Sequence, residues 1–183
     1  MVADIGTGDG RAVIAQARAE PKTLVLGVDA ATAAMAEASG RAARRGPTNA
    51  IFLAAGAETL ADTPLAGRMD LVTVSFPWGS LLRGVLGLDR CALAGIAALP
   101  APGGRIEILA SVMTSDRIEG IASLDASWEP AICRAWAAAG IDLVLMRPAT
   151  TGEIAASRSS WARRLGAAGD DARQVWRLEL CRP

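Results

Sequence analysis

The sequence predicts a doubly wound α/β fold, a mostly parallel sheet with helices on both faces. Three observations carry that reading. Short apolar runs alternate with longer Ala-rich stretches, the pattern of successive βαβ units. A glycine-rich segment, Gly6-Thr7-Gly8-Asp9-Gly10, directly follows the first apolar run. An acidic residue, Asp29, closes the second run, where this class of sheet holds its ligands.

Taken in order, the first strand is predicted at Val2–Ile5. It is short for a central strand, which ordinarily runs about five or six residues, so the start of that strand is expected to be missing. A helix follows over Arg11–Ala19, then a strand over Thr23–Asp29 and a helix over Ala31–Arg45. Strands at Ala50–Ala55 and Met69–Ser75 come next, and a long helix is expected over Leu81–Leu99. Pro100-Ala101-Pro102-Gly103-Gly104 reads as a tight turn feeding a fifth strand, Arg105–Val112. Gly140 caps a helix over Pro130–Ala139, just before a strand at Ile141–Met146. A helix over Gly152–Leu165 and a last strand over Gln174–Cys181 complete seven strands. With no internal repeat or linker, residues 1–183 are expected to form one domain.

Composition removes several classes of function. The chain has no histidine, which excludes histidine acid/base chemistry and histidine metal ligation. Cys91, Cys133 and Cys181 are too few and scattered for a zinc site or a disulfide framework, so no metal is expected. No apolar run approaches the roughly 18 residues of a membrane span, and no basic-then-apolar leader is present. A cytoplasmic protein away from membranes is the expectation. The formal net charge is +0, with Lys22 the one lysine among 19 basic residues.

The loop Asp4-Ile5-Gly6-Thr7-Gly8-Asp9-Gly10 joins the first strand to the first helix. Glycines let the backbone turn sharply and approach a ligand, and a helix N-terminus offers free N–H groups. A dinucleotide loop takes a third glycine after two intervening residues. Here the pattern is D-x-G-x-G-x-G, with Asp4 ahead of the first glycine. A carboxylate there repels a pyrophosphate and suits the ammonium of a methionine moiety, which favours S-adenosyl-L-methionine over NAD. Asp29 can accept hydrogen bonds from ribose hydroxyls, and Ala54-Ala55-Gly56-Ala57-Glu58 lies where adenine would pack. Taken singly, the glycines are a tight turn and Asp29 a helix cap. In order and at these strand ends, they read together as a cofactor site of the seven-stranded, Rossmann-like class I methyltransferase fold.

The fourth strand runs into Ser75-Phe76-Pro77-Trp78-Gly79-Ser80, beside the position of a transferred methyl group. Amine methyltransferases carry a related Pro-aromatic motif there. A second aromatic lies in Ser159-Ser160-Trp161-Ala162-Arg163-Arg164-Leu165. Neither Trp78 nor Trp161 has apolar periodicity around it, whereas Trp128, Trp136 and Trp176 do and are expected in the core.

The segments D-I-G-T-G-D-G-R, G-V-D, A-G-A-E, F-P-W-G-S-L-L and S-S-W-A-R-R-L, in this order, resemble the aminoglycoside-resistance 16S rRNA (adenine-N1) methyltransferases of the kanamycin–apramycin type. The resemblance covers nearly the whole chain. It implies a monomeric enzyme that acts on the assembled 30S subunit, at the decoding-site adenine where the drugs bind. It also implies that Asp4, Gly6, Thr7, Gly8, Asp29, Ala57 and Glu58 hold the cofactor, with Ser80 and Ser159 lining it. Trp78 and Trp161 would sandwich a flipped adenine, with Phe76 and Pro77 shaping the pocket. Arg41, Arg44, Arg45, Arg164 and Arg173 would contact rRNA. The N-terminal β-hairpin of the family is absent from this sequence, and Arg117 stands in the loop Ser111–Asp125 where a relative has an acid.

The chemistry is compatible with these residues. Adenine N1 carries a lone pair and no proton, so methylation there needs no general base. Arg41, Arg44 and Arg45 share one face of a helix, and the stretch from Arg147 onward holds seven arginines against four acids. Without RNA, such a cluster is a solvated face. Two other functions fit the same motifs: a non-catalytic cofactor- or RNA-binding homologue, and a small-molecule N-methyltransferase.

Overall fold

The structure is a computed structural model that describes residues 1–164 and 173–183, with only the backbone described at Ala34, Arg45, Arg163 and Arg164. Its strands are β1 (Val2–Ile5), β2 (Val25–Asp29), β3 (Ala50–Ala54), β4 (Met69–Ser75), β5 (Pro100–Ala110), β6 (Asp142–Pro148) and β7 (Trp176–Cys181). They form one sheet in the order β3-β2-β1-β4-β5-β7-β6. The first five pair in parallel, and β7 runs antiparallel between β5 and β6. Strand order reverses between β1 and β4, so a ligand crevice opens at their carboxyl ends.

The helices are α1 (Arg11–Ala19), α2 (Thr32–Arg45), α3 (Gly79–Val85), α4 (Arg90–Ala97), α5 (Glu129–Ala137), α6 (Thr151–Ala156) and α7 (Ser160–Arg164). Strand alternation sorts the two faces of the sheet. Ala3, Ile5, Leu26, Val28, Val72, Val74, Ile106, Ile108 and Leu178 join the main core with Leu82, Val85, Leu93, Ile96, Ile132 and Trp136 from α3, α4 and α5. On the other face Val25 meets Val13 and Ala17 of α1. That face turns polar across β4, β5 and β7, where Thr73, Glu107 and Arg177 line a cleft.

Several boundaries differ from the sequence expectation, each for a local reason. The helix expected over Leu81–Leu99 is two helices. Gly87 adopts φ +79°, and Asp89 accepts from the Cys91 and Ala92 N–H groups to start α4 afresh. The helix expected over Gly152–Leu165 likewise divides into α6 and α7, with Arg158 at φ +52° between them; Leu165 lies outside the described residues. The expected turn at 100–104 belongs to β5. Pro100 pairs with Met69 and Arg105 with Leu71, and the extra residues bulge out, held by Gly103 and Gly104 bonds to Arg182. A 3₁₀ turn at Ala57–Asp62 had no sequence signal. Trp136 is fully buried, its indole N–H donating to the Val85 carbonyl, and Trp176 is buried too; Trp128 is half-buried.

Helix α4 and that 3₁₀ turn pack closely at Gly95. A Cβ on Gly95 would stand 1.8 Å from the Ala57 carbonyl oxygen, which is backbone and cannot rotate away. Gly95→Ala is therefore expected to cost about 1–3 kcal/mol by overpacking, read as a lower urea midpoint with an unchanged m-value.

Candidate cofactor and substrate site

The loop after β1 turns back on itself through three left-handed glycines, Gly6, Gly8 and Gly10, at φ +78°, +56° and +66°. The Gly6 and Thr7 N–H groups donate to the Val28 carbonyl at 2.8 and 3.1 Å, which locks the loop to β2. The Asp29 side chain finishes the job. One carboxylate oxygen accepts from Gly8 N–H at 2.7 Å and the other from Ala31 N–H at 2.8 Å. Each oxygen keeps a lone pair for a ligand hydroxyl. A Cβ on Gly6 would stand 2.6 Å from Leu81 Cδ2 and would displace the end of that side chain on α3.

These residues line a cavity of about 500 Å³. Gly6, Gly8 and Asp29 form one wall, Ala57 and Glu58 a second, and Pro77, Trp78, Ser80 and Trp161 the mouth. The volume lies in the range of small-molecule and cofactor pockets. The cavity brings together most of the cofactor and base-holding residues named from the sequence. Phe76 also borders it, but its ring packs with Leu109, Ile154, Ala162 and Val175. Its backbone, at φ +54°, turns the chain so that Pro77 and Trp78 reach the cavity. The Trp78 and Trp161 ring centroids lie 5.9 Å apart, their planes inclined by 41°.

Asp4 lies beneath the loop, at a small adjoining cleft shared with Thr7, Ser159 and Trp161. Thr73 Oγ1 donates to its carboxylate at 2.9 Å. Burial pushes the Asp4 carboxyl up to about 6, against the pull of the Thr73 and Thr7 hydroxyls and with a further push from the Asp29 charge. Ser159 uses its hydroxyl locally, accepting from Ala162 N–H at 3.3 Å at the start of α7. Its neighbour Ser160 lines the main cavity instead.

The basic residues separate differently. Arg41 is ion-paired with Glu37 one turn earlier on α2. Arg44 is exposed, whereas the side chains of Arg45 and Arg164 lie outside the described ones. Arg173 does not face solvent. Its guanidinium is forked onto the Asp116 carboxylate, and both side chains are buried. Sequence reasoning missed Thr73, Asp116 and Ser160. Thr73 is legible only through the β1–β4 register, and Asp116 only through a contact 57 residues away in the chain.

A family model described as NpmA, 16S rRNA (adenine(1408)-N(1))-methyltransferase, matches residues 1–179. The 16S rRNA (adenine(1408)-N(1))-methyltransferase of Streptoalloteichus tenebrarius is 35% identical over 182 residues, covering 93% of this chain and 82% of the relative. Among solved structures, the 16S rRNA methyltransferase KamB superposes with a TM-score of 0.85 at 33% identity, over 100% of this chain and 87% of that one. A single-site mutant of the 16S rRNA (adenine(1408)-N(1))-methyltransferase from Catenulisporales acidiphilia, solved with cosubstrate SAM, gives 0.82 at 31% identity, over 98% and 84%. The aminoglycoside resistance methyltransferase NpmB1 gives 0.79 at 33% identity, over 100% and 86%.

The raised Asp4 carboxyl has a signed consequence for stability. Between its ordinary 3.8 and about 6, the folded chain holds this proton and the unfolded chain does not. Stability from this group is therefore fully present below about pH 4 and is lost as pH rises to about 6, on the order of 3 kcal/mol. Urea midpoints measured across this range are expected to fall less steeply with pH in Asp4→Asn than in the wild type, and the variant should be the more stable of the two at pH 7.

Proposed function

The chain belongs to the family of 16S rRNA (adenine(1408)-N(1))-methyltransferases, and on that footing we propose how its own residues carry out the reaction. It is an S-adenosyl-L-methionine-dependent enzyme. It methylates N1 of the decoding-site adenine of 16S rRNA in the 30S subunit, a modification that gives aminoglycoside resistance. The observation that carries the site assignment is the pair of tryptophans, Trp78 and Trp161, at the mouth of a cavity walled by Gly6, Gly8 and Asp29.

The cavity suits the cofactor in shape and in donor set. The Asp29 oxygens, each with one lone pair uncommitted, would take the ribose hydroxyls. Ala55, Gly56 and Ala57 offer a flat, small-residue wall for adenine, with Glu58 at its edge. Asp4, buried and with no basic partner among the described residues, is the counter-charge for the methionine ammonium. When bound, S-adenosyl-L-methionine supplies an electrophilic methyl group on a sulfonium.

The remaining work falls to the substrate side. A base inside a duplex cannot reach the methyl group, so the adenine must leave its stack, at a cost of a few kcal/mol. Trp78 and Trp161 offset that loss by stacking on the base, about 1–3 kcal/mol for each face. Pro77, presented by the left-handed Phe76, borders the edge of the base where the exocyclic amine would lie. No side chain has to take a proton, because N1 attacks with its own lone pair. The methylated adenine is a cation, and it repels a polycationic aminoglycoside from the same groove. We propose that the whole chain acts as one domain and works as a cytoplasmic monomer on the 30S particle. Among the described residues no helix is long and apolar enough to cross a membrane.

The test is primer extension on 30S subunits treated with the purified chain and cofactor. A block at adenine 1408 is expected, because a methyl on N1 prevents pairing with the primer strand; cofactor binding with no block overturns the assignment. Trp78→Ala is expected to slow methylation by about 10- to 100-fold, the loss of one stack, while cofactor affinity stays within a few-fold. Full activity in both Trp78→Ala and Trp161→Ala would remove the tryptophans from the base site.

The buried Asp4 also ties binding to pH. Cofactor affinity is expected to strengthen as pH rises from about 5 to about 7, as the carboxyl ionises to meet the ammonium. Calorimetric titrations across that range would show it, and a flat profile would detach Asp4 from the cofactor.

A further inference from the structure

Two chain connections meet at the carboxyl end of β5, and the second of them lines the cavity through Ser160 and Trp161. One is the loop Ser111–Asp125 that follows β5. The other is the connection from β6 to β7, whose described residues include α6, α7 with Trp161 and, shortly before β7, Arg173. The end of β5 and the start of β7 are neighbours, since Ala110 pairs with Trp176.

A fork of charge joins the two connections. Arg173 Nη1 donates to Asp116 Oδ2 and Nη2 to Oδ1, each at 2.6 Å. The side chains are 9% and 8% exposed. Asp116 Oδ2 also accepts from Met113 N–H at 2.9 Å, which orients the carboxylate within its own loop. A second tie runs alongside, from the Ser111 hydroxyl to the Gln174 carbonyl at 2.6 Å. The Arg173 guanidinium and the Met113 N–H hold the Asp116 carboxyl below the usual carboxylate range, so the pair stays ionised at neutral pH.

We propose that Asp116 and Arg173 are positioning residues for rRNA methylation: their pair fixes the loop 111–125 against the entry to β7, where Val175 shares an apolar cluster with Ala162 of α7, so that the loop and Trp161 meet the rRNA in one fixed relation. The inference rests on the rRNA reading given above. Three observations support geometry, rather than stability, as the reason for the pair. A buried ion pair is often no more stabilising than apolar side chains of the same volume. Arg173 Nε is itself buried with no hydrogen-bond partner among the described residues, a cost that a purely stabilising contact would avoid. Neither residue lines the cofactor cavity. What the fork does supply is a fixed distance and orientation between two segments that no strand pairing joins directly. The next residue, Arg117, stands at φ +52° with its side chain exposed. A non-glycine residue keeps that conformation only where its surroundings impose it.

The pair also reassigns Arg173. Its donors are turned inward to a carboxylate, so it shapes the docking surface from beneath.

The experiment compares the full-length wild type with Asp116→Glu and with the double variant Asp116→Leu/Arg173→Met, whose apolar side chains fill the site without leaving a lone charge. Melting, cofactor affinity by calorimetry, and steady-state methylation of 30S subunits are measured on each. The double variant is expected to fold and to bind S-adenosyl-L-methionine within about twofold of wild type, with KM for 30S raised about tenfold or more and kcat changed far less. Asp116→Glu, which keeps the charge and the fork, is expected to recover most of the KM. A double variant with wild-type KM overturns the proposal. So does a uniform fall in melting temperature, cofactor affinity and kcat, which marks a merely structural pair. Failure of the rRNA reading looks different: a wild-type chain that binds the cofactor and leaves 30S unmodified.

Discussion

Asp4 stands opposite Thr73 because β1 and β4 pair in parallel in one particular register, and the site depends on that register. The Thr73 hydroxyl donates to the Asp4 carboxylate at 2.9 Å, a side-chain bond from the neighbouring strand. A slip of one residue would turn Asp4 into the apolar cluster around Ala3 and Ile5, and send those two toward the polar face. The register also aligns the strand ends, with Ile5 beside Val74, so the loop at Gly6 and the turn at Phe76 leave the sheet side by side. The cavity between them follows from that alignment. Its electrostatics follow as well, since burial raises the Asp4 carboxyl to about 6, so that it ionises between weakly acidic and neutral pH.

The tryptophans obey a tighter geometric limit. A base held flat between two rings needs about 3.4 Å on each side, hence about 7 Å between planes. The observed centroids are 5.9 Å apart and the rings are tilted by 41°, so Trp78 and Trp161 touch each other in this state. Separating them forfeits an aromatic contact worth about 0.5–1.5 kcal/mol. Stacking of a base on both faces would return about 1–3 kcal/mol for each ring, more than that contact costs to break. The rings are unequally free to adjust. Trp78 follows a buried, left-handed Phe76, whereas Trp161 is 39% exposed on a five-residue helix.

The strands and the cofactor loop were legible because their signals are local. Val2–Ile5, Met69–Ser75 and Arg11–Ala19 fall where apolar runs and periodicity put them. The break between α3 and α4 was less so, because an Ala- and Leu-rich stretch masks what Gly87 and Asp89 do there. Residues that act across strands were invisible. Thr73 is one polar residue in an apolar strand, and only pairing with β1 gives it a role. The stretch 54–58 lies at a strand end as its sequence suggests, yet its 3₁₀ turn depends on Gly95 of α4 leaving room for the Ala57 carbonyl.

The arginines carry the sharpest difference between sequence and structure. A guanidinium fork fits a carboxylate as well as it fits a phosphate, so an arginine's identity does not say which it will meet. In the segment after Arg147 much of the positive charge is answered inside the protein. Arg147 is forked onto Glu153, whose carboxyl is held down at about 2, and Arg177 lies among Glu107, Glu153 and Glu179. These pairs fasten α6, and with it the connection that carries Trp161, to β5 and β7. Arg173 does the same for the neighbouring loop through Asp116. The basic bias near the C-terminus therefore builds the frame that holds Trp161. The side chains of Arg44, Arg117 and Arg158, by contrast, are exposed.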